Sequence, residues 1–223
     1  MDYSEFLRIF EVRASNLNWF LGAGCSIAAG IPSAYDIIWD CKSRLYCSEN
    51  GVPRSSVSDI SNPAFQQLIQ DYLETKNIFP KSEADGDDYT YYFEKAISSP
   101  SDRQAYIQEL MKSSLPSYGH LVLASLAKIS KAPIVWTTNF DKLYENSIFK
   151  IYGTSNDLIV ADLGEPEKAS KAIDARTAPL LVKLHGDFHS DRLKNTEQEL
   201  QSQDEKMLTA LSKACTTYGL CVI

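Results

Sequence analysis

The run Trp19-Phe-Leu-Gly-Ala-Gly-Cys-Ser-Ile-Ala-Ala-Gly-Ile-Pro32 restricts this chain more than any other stretch. Three apolar residues, Trp19 to Leu21, give way at once to Gly22 and Gly24, then to small residues, then to Gly30-Ile31-Pro32. Such a change reads as a buried strand that turns sharply into the start of a helix. Glycines at the turn remove the Cβ atoms that would hold a phosphate off the backbone, and a helix start offers unpaired N–H groups and a positive dipole end to an anion. The turn is a candidate phosphate cradle. Its spacing departs from the dinucleotide fingerprint G-x-G-x-x-G, because Ile27 stands where the third glycine belongs. Taken alone, the turn equally fits a tight strand-helix connection.

The chain has 223 residues, 44% of them hydrophobic, enough for one large domain or one domain carrying a sizeable insertion. A net charge of −7 argues against a broad basic face, so direct nucleic-acid binding is disfavoured. A glycine cradle holds phosphate with backbone amides and needs no global positive charge. The cysteines, Cys25, Cys41, Cys47, Cys215 and Cys221, form no Cys-x-x-Cys pair and are odd in number. Neither a disulfide framework nor a zinc ribbon is suggested, and a reducing interior is the simpler reading. No apolar run approaches a signal h-region or a membrane span, so a cytoplasmic location is expected.

Apolar periodicity predicts an amphipathic helix over Tyr3 to Ala14, another after the cradle to about Cys47, and an exposed loop from Ser48 to Ser56. Three further helices follow, around Phe65 to Leu73, Tyr91 to Ile97 and Tyr106 to Met111. The acidic run Lys81 to Asp88 lacks the ordered ligand spacing and terminal Glu of a calcium loop and reads as solvated. The region of about 48–115 is expected to be a helical module inserted between the first and second strands of a sheet.

A helix from Leu121 to Ile129 leads to a buried strand, Pro133 to Thr138, and then to a helix from Lys142 to Phe149. Strand candidates follow at Leu158 to Ala161, Pro179 to Leu184 and Gly219 to Ile223, with a helix from Thr196 to Cys215 before the last. This alternation predicts an α/β fold with a Rossmann-like, doubly wound parallel sheet. Ligands in such sheets sit at the carboxyl ends of the strands. There the chain places the glycine turn, Asn139 with Asp141, and His185. An amide can orient a water or a sugar hydroxyl, an imidazole can take a proton near neutral pH, and a carboxylate can accept from an amide N–H. Together they suit chemistry at a ribose carbon.

Plainer roles fit other residues. His120 reads as a packing or capping histidine, Trp39 and Trp136 as core, and Cys25 as a small packing residue rather than a reactive thiol. The series His185, Asp187, His189 and Asp191 could ligate a metal along an extended segment, but His185 has the better role at the sheet edge, and no metal is expected.

Gly22-Ala-Gly-Cys-Ser26 with Gly30-Ile-Pro32, then Thr138-Asn139-Phe-Asp141, then Lys183-Leu-His185-Gly186 resembles the sirtuin (SIR2) superfamily, motif for motif and in the same order. The resemblance implies that NAD+ is bound, as a substrate, by Gly22, Ala23, Gly24, Ser26, Ile31, Pro32, Thr138 and Asp141. It implies catalytic roles for Asn139 at the ribose and for His185 as general base, with Asp141 at the nicotinamide carboxamide.

The departures carry information too. Ser33-Ala34-Tyr35 stands where protein-deacylating sirtuins have Asp-Phe-Arg, and the two Cys-x-x-Cys pairs of their structural zinc are absent. Both point to the zinc-less branch of SIR2-like domains, similar to bacterial anti-phage effectors that destroy NAD+. The expectation is an NAD+ glycohydrolase. A deacylase or ADP-ribosyltransferase, and a non-catalytic module that senses NAD+ or ADP-ribose, are the alternatives. The family's second glycine/serine loop is not found after Gly219 to Ile223, so residues 1–223 are expected to be the N-terminal part of a longer polypeptide. A homo-oligomer with fused or associated sensor or ATPase domains is expected as the setting, with no membrane partner.

Overall fold

The computed structural model describes residues 2–57, 59–81, 88–186 and 205–222. In chain order the elements are α1 (Tyr3–Arg13), β1 (Leu17–Leu21), α2 (Gly24–Ile27), α3 (Ala34–Asn50), α4 (Pro63–Thr75), α5 (Asp88–Ala96), α6 (Pro100–Met111) and α7 (Tyr118–Lys128). They continue with β2 (Ile134–Thr137), α8 (Leu143–Tyr152), β3 (Ile159–Ala161), α9 (Pro166–Asp174), β4 (Leu180–Lys183), α10 (Glu205–Thr217) and β5 (Gly219–Val222). The strands form one sheet in the order β3-β4-β2-β1-β5, parallel at every pairing. This is the Rossmann-like α/β fold expected from the alternation of strands and helices.

The two central strands β2 and β4 are buried at every position, as parallel strands covered on both faces must be. Alternate residues feed two cores. Trp19, Leu21, Val135 and Leu181 face one side, against Leu123 and Ala124 of α7 and Tyr144 and Ile148 of α8, with Phe10 of α1 partly buried beside them. Ile134, Trp136, Leu180 and Val182 face the other, against Ala169 and Ile173 of α9 and Met207, Ala210 and Ala214 of α10. Small residues on α9 and α10 let these helices approach the sheet closely, while the bulk comes from the strands.

The chain divides into two compact units. The sheet and its covering helices form one, and residues Pro32–Leu110 form the main part of the other. This helical unit opens at Pro32 rather than near residue 48, because α3 packs on α4 and α5. Its first helix starts with a capping box, in which Ser33 Oγ accepts from the Asp36 amide and the Asp36 carboxylate accepts from Ser33 N. The helix then runs three residues past the expected Cys47 and ends at Gly51, whose φ of 62° closes it in the left-handed conformation that glycine adopts freely. Inside the unit, Asp40 of α3 accepts from Arg44, Arg54 and Tyr106, joining three segments at one carboxylate. Lys42 lies 4.7 Å from the Trp39 ring and 4.6 Å from the Tyr92 ring, and its ammonium donates to Gln70. Trp39 is thus a half-buried partner of a lysine and not a core residue, whereas Trp136 is fully buried.

Leu181 lies at the centre of β4 and is fully buried. Leu181→Ala should cost about 2–5 kcal/mol of unfolding free energy, read as a lower urea midpoint at unchanged slope. A loss below about 1 kcal/mol would mean that the sheet core is not packed around this side chain.

Candidate active site at the carboxyl edge of the sheet

Strand register decides what meets at the edge. Leu21, Thr137 and Lys183 are the last residues of β1, β2 and β4, and they lie on one rung, Leu21 opposite Thr137 and Thr137 opposite Lys183. The chain leaves the sheet at the same level three times. Asn139 and His185 each follow two residues beyond that rung, and Gly22 follows at once. The three sequence motifs therefore converge, as the rule for parallel sheets requires.

The glycine turn starts a helix, as expected, but a short one. Cys25 N donates to Gly22 O at 3.2 Å and Ser26 N to Ala23 O at 3.1 Å, which winds only the single turn of α2. Gly30, with φ of 87°, ends it, and Ile31 N returns to Ser26 O at 3.3 Å. Pro32 then begins the helical unit. One turn sums few peptide dipoles, so the turn's capacity for an anion rests on close backbone approach rather than on a macrodipole. Ala23 and Gly24 are exposed, and a Cβ on Gly24 would meet nothing within 4 Å. The backbone there is open to a ligand.

The expected polar residues form one connected network. Asn139 Nδ2 donates to Gly22 O at 2.9 Å and to Ser26 Oγ at 3.0 Å, and lies 3.4 Å from Cys25 Sγ. Ser26 Oγ donates to Asp141 Oδ2 at 2.7 Å, and Asp141 Oδ1 accepts from Leu143 N at 3.0 Å, capping α8. Thr137 Oγ1 donates to Leu21 O at 3.1 Å and accepts from Asn139 N at 2.9 Å. Ser26 is 2% and Asp141 8% exposed, so both serve inside this network. Asn139 is only half-buried, and its Oδ1 accepts from no described residue, which leaves it for a ligand hydroxyl or water. Thr138 is half-buried, and its amide extends the ladder to Leu21 O at 3.4 Å.

His185 is half-buried at the same edge, its ring centroid 6.3 Å from that of Phe140. His120 sits three residues into the start of α7, where its Nδ1 and the Ser117 hydroxyl are 2.7 Å apart. Burial lowers its pKa, and the Asp141 carboxylate opposes that shift. With Cys25, Trp19, Leu21, Leu123 and Leu126 it lines a cavity of about 460 Å³ behind the glycine turn. Burial, reinforced by Asp141, raises the Cys25 pKa, and its thiol donates to Gly22 O at 3.0 Å. A protonated thiol engaged with the backbone is a structural group.

Sequence reasoning gave no role to Lys183. Its side chain is 1% exposed, and its ammonium donates to Asp141 O at 2.8 Å and pairs with Glu145 Oε1 at 2.8 Å. The signal was a lysine closing an otherwise apolar buried strand, since lysine is almost never buried unless paired. Asp187, His189 and Asp191 of the metal candidate lie outside the described residues, and among the described residues no cluster of His, Cys, Asp and Glu could hold a metal ion. Among the described residues, too, no helix is long and apolar enough to cross a membrane.

Two outcomes follow from this network. Ser26→Ala leaves the buried Asp141 Oδ2 without its donor and should lower stability by about 1–3 kcal/mol, measured by urea unfolding; an unchanged midpoint would remove Ser26 from the network. The depressed His120 pKa means that the unfolded chain binds the extra proton first. Its stability contribution is fully present above about pH 6.5 and is lost as pH falls through the lower folded-state value. His120→Gln should therefore lose less unfolding free energy than the parent between about pH 7 and about pH 5, and equal losses would refute the burial effect.

The family described as SIR2-like domain matches residues 133–223 of this chain. That stretch holds β2 to β5 with Asn139, Asp141, Lys183 and His185, while the glycine turn precedes it. No curated protein matches the chain. SIR2-like domains are commonly NAD-consuming enzymes, so the match points to NAD-related activity. From Pro133 onward, the chain is similar to a SIR2-like domain.

Proposed function

We propose that this domain is an NAD+ glycohydrolase, which cleaves NAD+ with water to nicotinamide and ADP-ribose. The observation that carries the reading is the placing of Asn139 and His185 at equal heights beyond adjacent strands, beside an open glycine turn. In this reading the diphosphate lies on the backbone of Gly22 to Ser26, and Ile31, Pro32 and Thr138 border the dinucleotide.

The nicotinamide–ribose bond breaks with its electron pair going to the ring nitrogen, and positive charge develops on the ribose carbon. Asn139 Oδ1 accepts from the attacking water or a ribose hydroxyl and fixes its position, which converts an encounter into an oriented reaction. His185 takes the proton as the new carbon–oxygen bond forms. In this reading the Asp141 carboxylate, held by Ser26 and Leu143, favours the positive charge that develops on the ribose carbon. Its remaining lone pairs can accept from the nicotinamide carboxamide N–H. Ser26 thus acts on the substrate through Asp141 and Asn139.

The zinc-less motif pattern supports a role as an effector in bacterial anti-phage defence, acting by NAD+ depletion and switched by self-association or by partner domains. Asn139→Ala and His185→Ala should each abolish nicotinamide release from NAD+ in the absence of any acylated peptide, while the far-UV circular dichroism stays that of the parent. Full release by either variant sinks the assignment. Release only when an acylated peptide is present would make the protein a deacylase, and binding of NAD+ with no release would make it a sensor.

A further inference from the structure

The contacts of the Lys183 ammonium place a positive charge within the network at the sheet edge, and it is more deeply buried than either of its partners, Asp141 and Glu145. A lysine is rarely taken wholly out of water, since its desolvation is costly unless every donor is used. Here two of its contacts run to the same short segment after β2. One is the carboxylate of Glu145 in the first turn of α8, and the other is the backbone carbonyl of Asp141, two residues past Asn139. Lys183 itself ends β4 and precedes His185 by two residues. The side chain therefore crosses from the strand that delivers the histidine to the loop that delivers the asparagine.

The described side-chain hydrogen bonds of the loop to other strands run the opposite way. Thr137 Oγ1 and Asn139 Nδ2 bind it to the carbonyls of Leu21 and Gly22, toward β1. On the β4 side, Lys183 adds a charged clamp to the strand pairing below and to the ring contact of Phe140 with His185. A separation error of about 1 Å between two reacting groups is enough to cost orders of magnitude in rate.

We propose that Lys183 is a positioning residue, whose ammonium, clamped between the Asp141 carbonyl and Glu145, fixes the distance between Asn139 and His185. The inference rests on the glycohydrolase reading for its catalytic consequence, and on geometry alone for its structural one. It predicts a rate effect with little binding effect, because the clamp touches no substrate.

The test removes the clamp without stranding a charge. In Lys183→Met/Glu145→Leu both partners become apolar side chains of similar volume, an exchange that buried ion pairs commonly tolerate. The expected result is a melting temperature near that of the parent, KM for NAD+ within about threefold and kcat reduced at least about tenfold. Hydrogen exchange of the amides of residues 139 to 143 should quicken by at least about tenfold while the strands keep their protection. Should that pair fail to fold, Lys183→Gln/Glu145→Gln keeps a polar, neutral pair too short to reach the Asp141 carbonyl, and the same changes are expected. Parent-like kcat with parent-like exchange in a folded variant overturns the proposal. A parent that releases no nicotinamide defeats the glycohydrolase reading instead. The exchange comparison then decides the clamp alone, with faster exchange of residues 139 to 143 supporting it and unchanged exchange refuting it.

Discussion

Where β1 ends, the carbonyls of Leu21 and Gly22 still require hydrogen-bond donors, and the rest of the site depends on how that need is met. Buried backbone acceptors are rarely left empty. Leu21 O accepts from Thr137 Oγ1 and Thr138 N, and Gly22 O accepts from Asn139 Nδ2 as well as from Cys25 of its own turn. Satisfying the end of one strand therefore fixes the exit of its neighbour, and with it the orientation of the Asn139 amide. Because Nδ2 is used on the protein side, Oδ1 is the half of the amide left to accept. A structural necessity of the parallel sheet and a chemically useful orientation are here the same interaction.

The electrostatics of the edge are arranged around one buried carboxylate. Asp141 is held by a serine hydroxyl and an amide N–H, both neutral, while its own carbonyl accepts from a lysine whose charge is met by Glu145. Neutral donors hold this carboxylate without offsetting its charge. Its negative field reaches His120, working against the burial that holds that ring neutral, and Cys25, whose thiol it helps to keep protonated. The edge thus combines a negative field with an open backbone turn beside it.

Much of this was legible in the sequence. The strands β2 and β4 announced themselves as short apolar runs, and the polar residues just past them marked the sheet edge. Periodicity placed several helices to within a few residues, but it began α6 at Tyr106 instead of Pro100 and gave no helix for α9. It missed the extension of α3 to Asn50, because Ser48, Glu49 and Asn50 are polar enough to read as a loop and the stop is a backbone event at Gly51. The turn after β1 was read as a helix start, and a helix does start there, though Gly30 halts it after one turn. The pairing of Ser26 with Asp141 and of Lys183 with Glu145 could not be read at all. Both join residues distant in the chain, and no local pattern records which buried polar groups will find each other. Lys183 carried the one usable hint, a charge where an apolar residue was due.

The sheet order has a consequence for how the protein comes into being. β1 leaves the ribosome before any of its partners, yet it pairs only with β2 and β5. The nearer of these is reached across a sequence separation of 116 residues, as the contact of Thr137 with Leu21 records, and the other lies at the opposite end of the described chain. Closing so long a loop carries an entropic cost that must be met before any contact repays it. During synthesis, therefore, Leu17 to Leu21 wait as an unpaired apolar segment, while β2, β3 and β4 arise close together in the chain. The glycine turn joins Asn139 only when that early strand finally docks. A nascent or partly folded chain has no assembled site, and such chemistry as the edge performs is withheld until the whole sheet exists.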